Sequence, residues 1–145
     1  MIPRLRTFST WLLPLQWLWW MGVLVWGAVL FMLSADSAPP SGPTFPFKDK
    51  VLHCLYFSGG AFCLLLAFFG KEVPVGKAAR FVIGGMLFAA ITGALDEYHQ
   101  TFTPGRSGND PWDWLADVMG GLLGAWIALR FLRWVRQGDD GLERL

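Results

Sequence analysis

Side chains capable of chemistry are concentrated in two short stretches of this sequence. The longer, LDEYHQTFTPGRSGNDPWDWLAD from Leu95 to Asp117, sets Asp96, Glu97, His99, Gln100, Arg106, Asp110, Asp113 and Asp117 between two apolar runs. The shorter lies upstream and holds Asp49, Lys50 and His53. Ionisable groups are costly beside hydrocarbon, so their accumulation at the borders of apolar segments marks a functional centre. On helices, Asp96 reaches His99 and Gln100 at i+3 and i+4, Asp113 reaches Asp117 at i+4, and Asp49 reaches His53 at i+4. Each stretch therefore presents a polar edge.

These residue types suit acid–base work: Glu97 or Asp96 as general base, His53 or His99 as acid, with Asp49 beside His53. Arg106, after the Pro104-Gly105 turn, and Lys50 are candidates to orient an anionic group, and Gln100, Asp113 and Asp117 complete the candidate binding set. The histidines and carboxylates are also acceptable ligands for zinc or another divalent ion. No HExxH or cysteine-rich pattern is present, and the sequence names no cofactor. Blander roles compete. Asp110 and Asp113 suit the positive end of a helix dipole, and Arg106 suits an ion pair with Asp113 or Glu97 that holds the loop.

The elements that must position these groups are membrane helices. Of the 145 residues, 54% are hydrophobic, above the roughly 45 to 50% usual for soluble domains. A crossing takes about 20 residues, so the length allows four spans and a single domain over 1–145. The apolar runs place them at about 15–33, 51–69, 79–95 and 114–132, followed by a polar tail from 133 to 145. The fold class is an all-α, integral membrane four-helix bundle. There is no low-complexity tract and no internal repeat.

The first run is longer than the apolar core of a secretory signal, so it reads as an uncleaved span although residues 35 to 38 are weakly cleavage-like. Trp17, Trp19 and Trp20 at its start suit the headgroup boundary. Residues 34 to 50, with four prolines, read as an exposed connection. Cys54 and Cys63, nine positions apart on one helix, are too far apart to bridge and read as small buried thiols. Gly120 and Gly124 form a small-xxx-small pair that admits another helix, a route to oligomerisation.

Net charge is +1, which gives no field for nucleic acid. The distribution of charge says more. Lys48, Lys50 and Arg106 fall on one side of a four-span topology, and the other nine basic residues fall on the side of both termini and the 70–80 loop. The positive-inside bias puts both termini in the cytoplasm and both polar stretches at the extracytoplasmic face.

At these residues the sequence resembles the VanZ-like family of small bacterial membrane proteins. The resemblance rests on FPFKDKVLH at 45–53, LDEYHQTFTPGRSG at 95–108 and DWLADVMGGLLG at 113–124. It implies a multi-pass protein of the bacterial inner membrane, with partners among membrane lipids and an envelope lipid, cell-wall precursor or glycopeptide-related ligand. It also implies an association with resistance to the glycopeptide teicoplanin. Where the family pattern often has Asn in the last helix, this chain has Asp117, an added acid. Three function classes remain open: an enzyme acting on an envelope component, a binding or scaffold protein whose polar network is structural, and a small proton-coupled transporter.

Overall fold

The computed structural model describes residues 13–37, 43–70 and 78–142, with side chains of the last helix described to Val135. Arg4, Arg6, Lys71, Lys77, Arg144 and the side chain of Arg136, which contribute to the orientation argument, lie outside the described residues, as do Pro39 and Pro40 of the first connection. The described chain is all helical: α1 is Gln16–Ala35, α2 Lys48–Phe69, α3 Ala78–Gln100 and α4 Pro111–Leu142. All four are long and apolar enough to cross a membrane, α4 over Pro111–Val135.

The helix ends depart from the apolar runs. α2 begins at Lys48, α3 continues through the polar Asp96–Gln100 turn, and α4 begins at Pro111, so the third connection is only 101–110. The extra turns have local causes. Asp110 caps α4 by accepting from the Trp112 amide at 2.8 Å, with Pro111 at the first helical position where its missing N–H costs nothing. α3 closes through Thr101, Phe102 and Thr103 amides donating to Tyr98, His99 and Gln100 carbonyls. Beyond Leu132, α4 runs on to Leu142, where the sequence reads as a polar tail.

Lipid tails give apolar helices no hydrophobic reason to associate, so packing depends on close backbone approach. α4 packs along both α2 and α3, and α1 lies outside, mainly against α2. A Cβ on Gly120 would collide with the Cys54 carbonyl, and one on Gly124 with the Ser58 carbonyl. The helix that this glycine pair admits is α2 of the same chain. On the neighbouring face Gly121 and Gly85 meet in the same way between α4 and α3.

α1 is apolar all round and exposes Trp17, Leu24, Phe31 and Met32, as expected of a helix in lipid. It is tied to α2 by a reciprocal pair: Trp26 Nε1 donates to the Tyr56 carbonyl at 3.0 Å, and Tyr56 donates to the Trp26 carbonyl at 2.7 Å. Trp17 and Trp20 are exposed, whereas Trp19 packs edge-on against Phe62. Cys54 and Cys63 are free and half-buried.

The bundle has two unlike ends. Toward the start of α3 and the last turns of α4, the core is apolar, built from Leu13, Leu65, Leu66, Phe81, Leu129 and Leu132 among others. At the other end, the close of α1 and α3 and the opening of α2 and α4 bring the buried polar residues together.

Candidate functional site

Two polar networks fill this end. The first joins α1, α3 and the 101–110 connection. Ser34, at the end of α1 and buried, donates to Asp96 Oδ1. Gln100 Nε2 donates to Asp96 Oδ2 at 2.8 Å, one helical turn on. Arg106 Nε donates to Gln100 Oε1 at 3.2 Å, and Thr103 Oγ1 to the Ser34 carbonyl at 2.9 Å. Each of these bonds satisfies a group that burial would otherwise leave costly. The connection is folded over the rim by the Arg106 amide donating to the Thr103 carbonyl, and by Gly105 and Gly108, both at positive φ that other residues avoid.

The second network joins α2, α3 and α4. The Lys50 ammonium lies 2.7 Å from Asp110 Oδ2, 2.8 Å from Asp113 Oδ1 and 3.4 Å from Asp49 Oδ2. An ammonium has three N–H donors, and three carboxylates surround this one. One turn deeper, His53 Nδ1 is 2.8 Å from Asp117 Oδ1. A carboxylate only accepts, so Nδ1 carries a hydrogen, and Nε2 lies 3.9 Å from Asp113 Oδ1. Asp117 is fully buried, and Gly93 makes room for it: a Cβ there would press on the Asp117 carboxylate.

Glu97 lies between the helices of this network. Its Oε2 accepts from the Asp110 amide at 2.6 Å, while Oε1 has no hydrogen-bond partner among the described residues. Glu97 is only 4% exposed, yet it lines an open depression of about 330 Å³ with Ala94, Asn109, Asp110, Pro111 and Trp114. The Trp114 ring is fixed there by donation from Nε1 to the Ala90 carbonyl at 2.9 Å.

Of the residues singled out in the sequence, the first network holds Asp96, Gln100 and Arg106, and the second holds Asp49, Lys50, His53, Glu97, Asp113 and Asp117. His99 is apart, stacked on Phe31 of α1 with ring centroids 4.5 Å apart. Arg106 meets Gln100, and the partners of Asp113 and Glu97 are Lys50 and the Asp110 amide. Asp113 and Asp117, one turn apart, turn to different α2 residues. Sequence reasoning passed over Ser34, assigned to the exposed connection, and Thr103 and Gly93. Asp110, in the sequence a member of the polar stretch and a candidate helix-end acid, contacts all three helices of the second network. The Asp-Pro step at 110–111 signals its capping role but not its bond to Lys50.

Asp110, outside the spans, titrates below the usual carboxylate range. The Lys50 hydrogen bond is the main cause, followed by that of the Trp112 amide. Its negative charge is thereby fixed beside the depression.

A family model described as VanZ/LLP1 matches residues 6–133. The chain belongs to the VanZ/LLP1 family. The match takes in every residue of both networks. No curated protein matches the chain, and no solved structure does. As a VanZ/LLP1 protein with four candidate spans, it is a multi-pass membrane protein with an all-helical fold.

Proposed function

We propose that this VanZ/LLP1 protein recognises and acts on an anionic, lipid-linked component of the bacterial cell envelope at the extracytoplasmic end of its bundle, in the inner membrane. Glu97 takes a proton from a hydroxyl or amine of that ligand, Arg106 contacts its anionic group, and Asp96 and Gln100 position Arg106. The observation that carries the reading is Glu97 Oε1, a buried carboxylate oxygen without a partner among the described residues, beside an open depression. Leaving such an acceptor unsatisfied costs about 1 to 3 kcal/mol, and native structures keep few of them. A ligand hydroxyl or amine in the depression would satisfy it. The Trp114 ring and the apolar neighbours offer the surface that a lipid-linked ligand needs. A role in teicoplanin resistance follows if that ligand belongs to cell-wall synthesis.

The saturated Lys50 favours a second reading, in which the network only holds the helices in register. A proton-coupled transporter fits less well, because the buried ionisable residues described, Asp96, Glu97, Asp113 and Asp117, gather at one end of the bundle. One comparison separates the first two. Glu97→Gln and Arg106→Ala are expressed in a teicoplanin-susceptible host in which the wild-type chain raises resistance. The proposal expects each variant to abolish that gain at wild-type membrane abundance. Loss of resistance in proportion to loss of protein would instead assign the network to structure.

A further inference from the structure

The second network gathers five carboxyl groups, on Asp49, Glu97, Asp110, Asp113 and Asp117, around Lys50 and His53. Carboxyl groups gathered in the low dielectric of a membrane bundle are a setting in which a bound cation is stabilised. Within it, one ligand atom each from Asp49, His53 and Asp113 lies within 4.8 Å of the other two. That is one nitrogen and two carboxylate oxygens, a donor set suited to zinc and similar divalent ions.

The set is more than a group of acids, because its histidine is aimed. Asp117 fixes the ring through Nδ1, as carboxylates do behind metal-bound histidines, and leaves Nε2 on the side of Asp113, 3.9 Å from its Oδ1. Gly93 in turn gives Asp117 its place. Donors about 2.0 to 2.2 Å from a tetrahedral ion lie about 3.4 Å apart. His53 Nε2 and Asp113 Oδ1, at 3.9 Å, must draw slightly closer, and the exposed Asp49 side chain, 67% accessible, can turn toward them. Asp49 also leaves the site open to solvent.

We infer that Asp49, His53 and Asp113 form a divalent-cation site for which the Lys50 ammonium is a built-in competitor. Lys50 already rests on the two carboxylates of the set and holds a third, Asp110, outside it. An ion entering the site displaces Lys50 from Asp113 and Asp49 and leaves it paired with Asp110. The ion also reconciles an acid-rich rim with an anionic ligand, since a divalent cation can bridge carboxylates to a phosphate. That bridging role rests on the proposed function, whereas the site itself does not.

The test is titration of the full-length, untagged chain in nanodiscs of zwitterionic lipid with ZnCl₂, followed by calorimetry, with Co²⁺ absorption reporting nitrogen and oxygen ligation. The site predicts one Zn²⁺ per chain, and Mg²⁺ at equal concentration does not compete. His53→Ala and Asp49→Asn each weaken binding by at least about tenfold; the second changes an exposed residue and leaves the fold intact. Lys50→Met strengthens binding, and His99→Ala leaves it unchanged. The inference is overturned by absence of binding, by loss through His99→Ala rather than His53→Ala, or by a Lys50→Met chain that binds no more tightly. Metal binding with this pattern, in a protein whose Glu97→Gln variant still confers full resistance, keeps the cation site and removes the proposed function.

Discussion

At the scale of single residues, the rim is governed by which partner each carboxylate finds. Asp110 shows this most clearly, because it caps α4, holds Glu97 through its amide and accepts from Lys50. Its folded titration lies below the ordinary carboxylate value because the Lys50 bond favours the charged form. Stability from a carboxyl depressed in this way is present above its unfolded pKa, about 3.9, and is lost as pH falls through the lower folded value. Asp110→Asn keeps a capping oxygen but removes the charge. Its deficit in thermal stability against wild type, followed by melting in detergent, is expected to be constant from neutral pH to about 5 and to shrink below about pH 4. A deficit that does not change with pH would mean that the Lys50 pair contributes nothing. Asp117 teaches a related point. Fully buried, it accepts from His53 Nδ1 and so holds the ring of the proposed cation site.

Among elements, the deciding contact is that of α4 with α2. The Gly120 and Gly124 spacing lets the two backbones meet, and this sets the depth at which His53 faces Asp117 and Lys50 faces Asp113. Gly124→Leu would drive a side chain into the Ser58 carbonyl. Overpacking costs about 1 to 3 kcal/mol even where side chains yield, and backbone yields less. The variant is expected to melt well below wild type in detergent and to accumulate poorly. Gly27→Leu is the control, since a Cβ at Gly27 meets nothing within 4 Å and its melting is expected to match wild type. Equal melting of both variants with wild type would show that the glycine pair does not set this contact.

The number of spans was legible in the sequence because each apolar run matches a bilayer in length. The ends were not, because the polar Asp96–Gln100 turn is helical for reasons of buried hydrogen bonding that a hydropathy pattern does not record. In the site, the meeting of Asp49, Lys50 and His53 with the 96–117 stretch was legible from four-span topology alone. The pairings were hidden, since they depend on the lateral order of the helices. Lys50 taking three acids and His99 turning to Phe31 of α1 both follow from that order. So does the burial of Ser34, which carries no signal beyond one hydroxyl at the close of an apolar run.

For the whole molecule, the asymmetry between a polar rim and an apolar opposite end is the feature on which the functional proposal stands. The proposal turns the rim to the outside of the cell, on the positive-inside bias of the charges along the sequence. Ser107 is exposed in the connection over the rim, and Arg80 is exposed at the start of α3, at the other end. With Cys54 and Cys63 replaced by serine, Ser107→Cys and Arg80→Cys can be treated in intact cells with a membrane-impermeant maleimide. The account predicts that Ser107→Cys is labelled at once and Arg80→Cys only after the membrane is permeabilised; the opposite pattern would turn the rim toward the cytoplasm and contradict an envelope ligand outright.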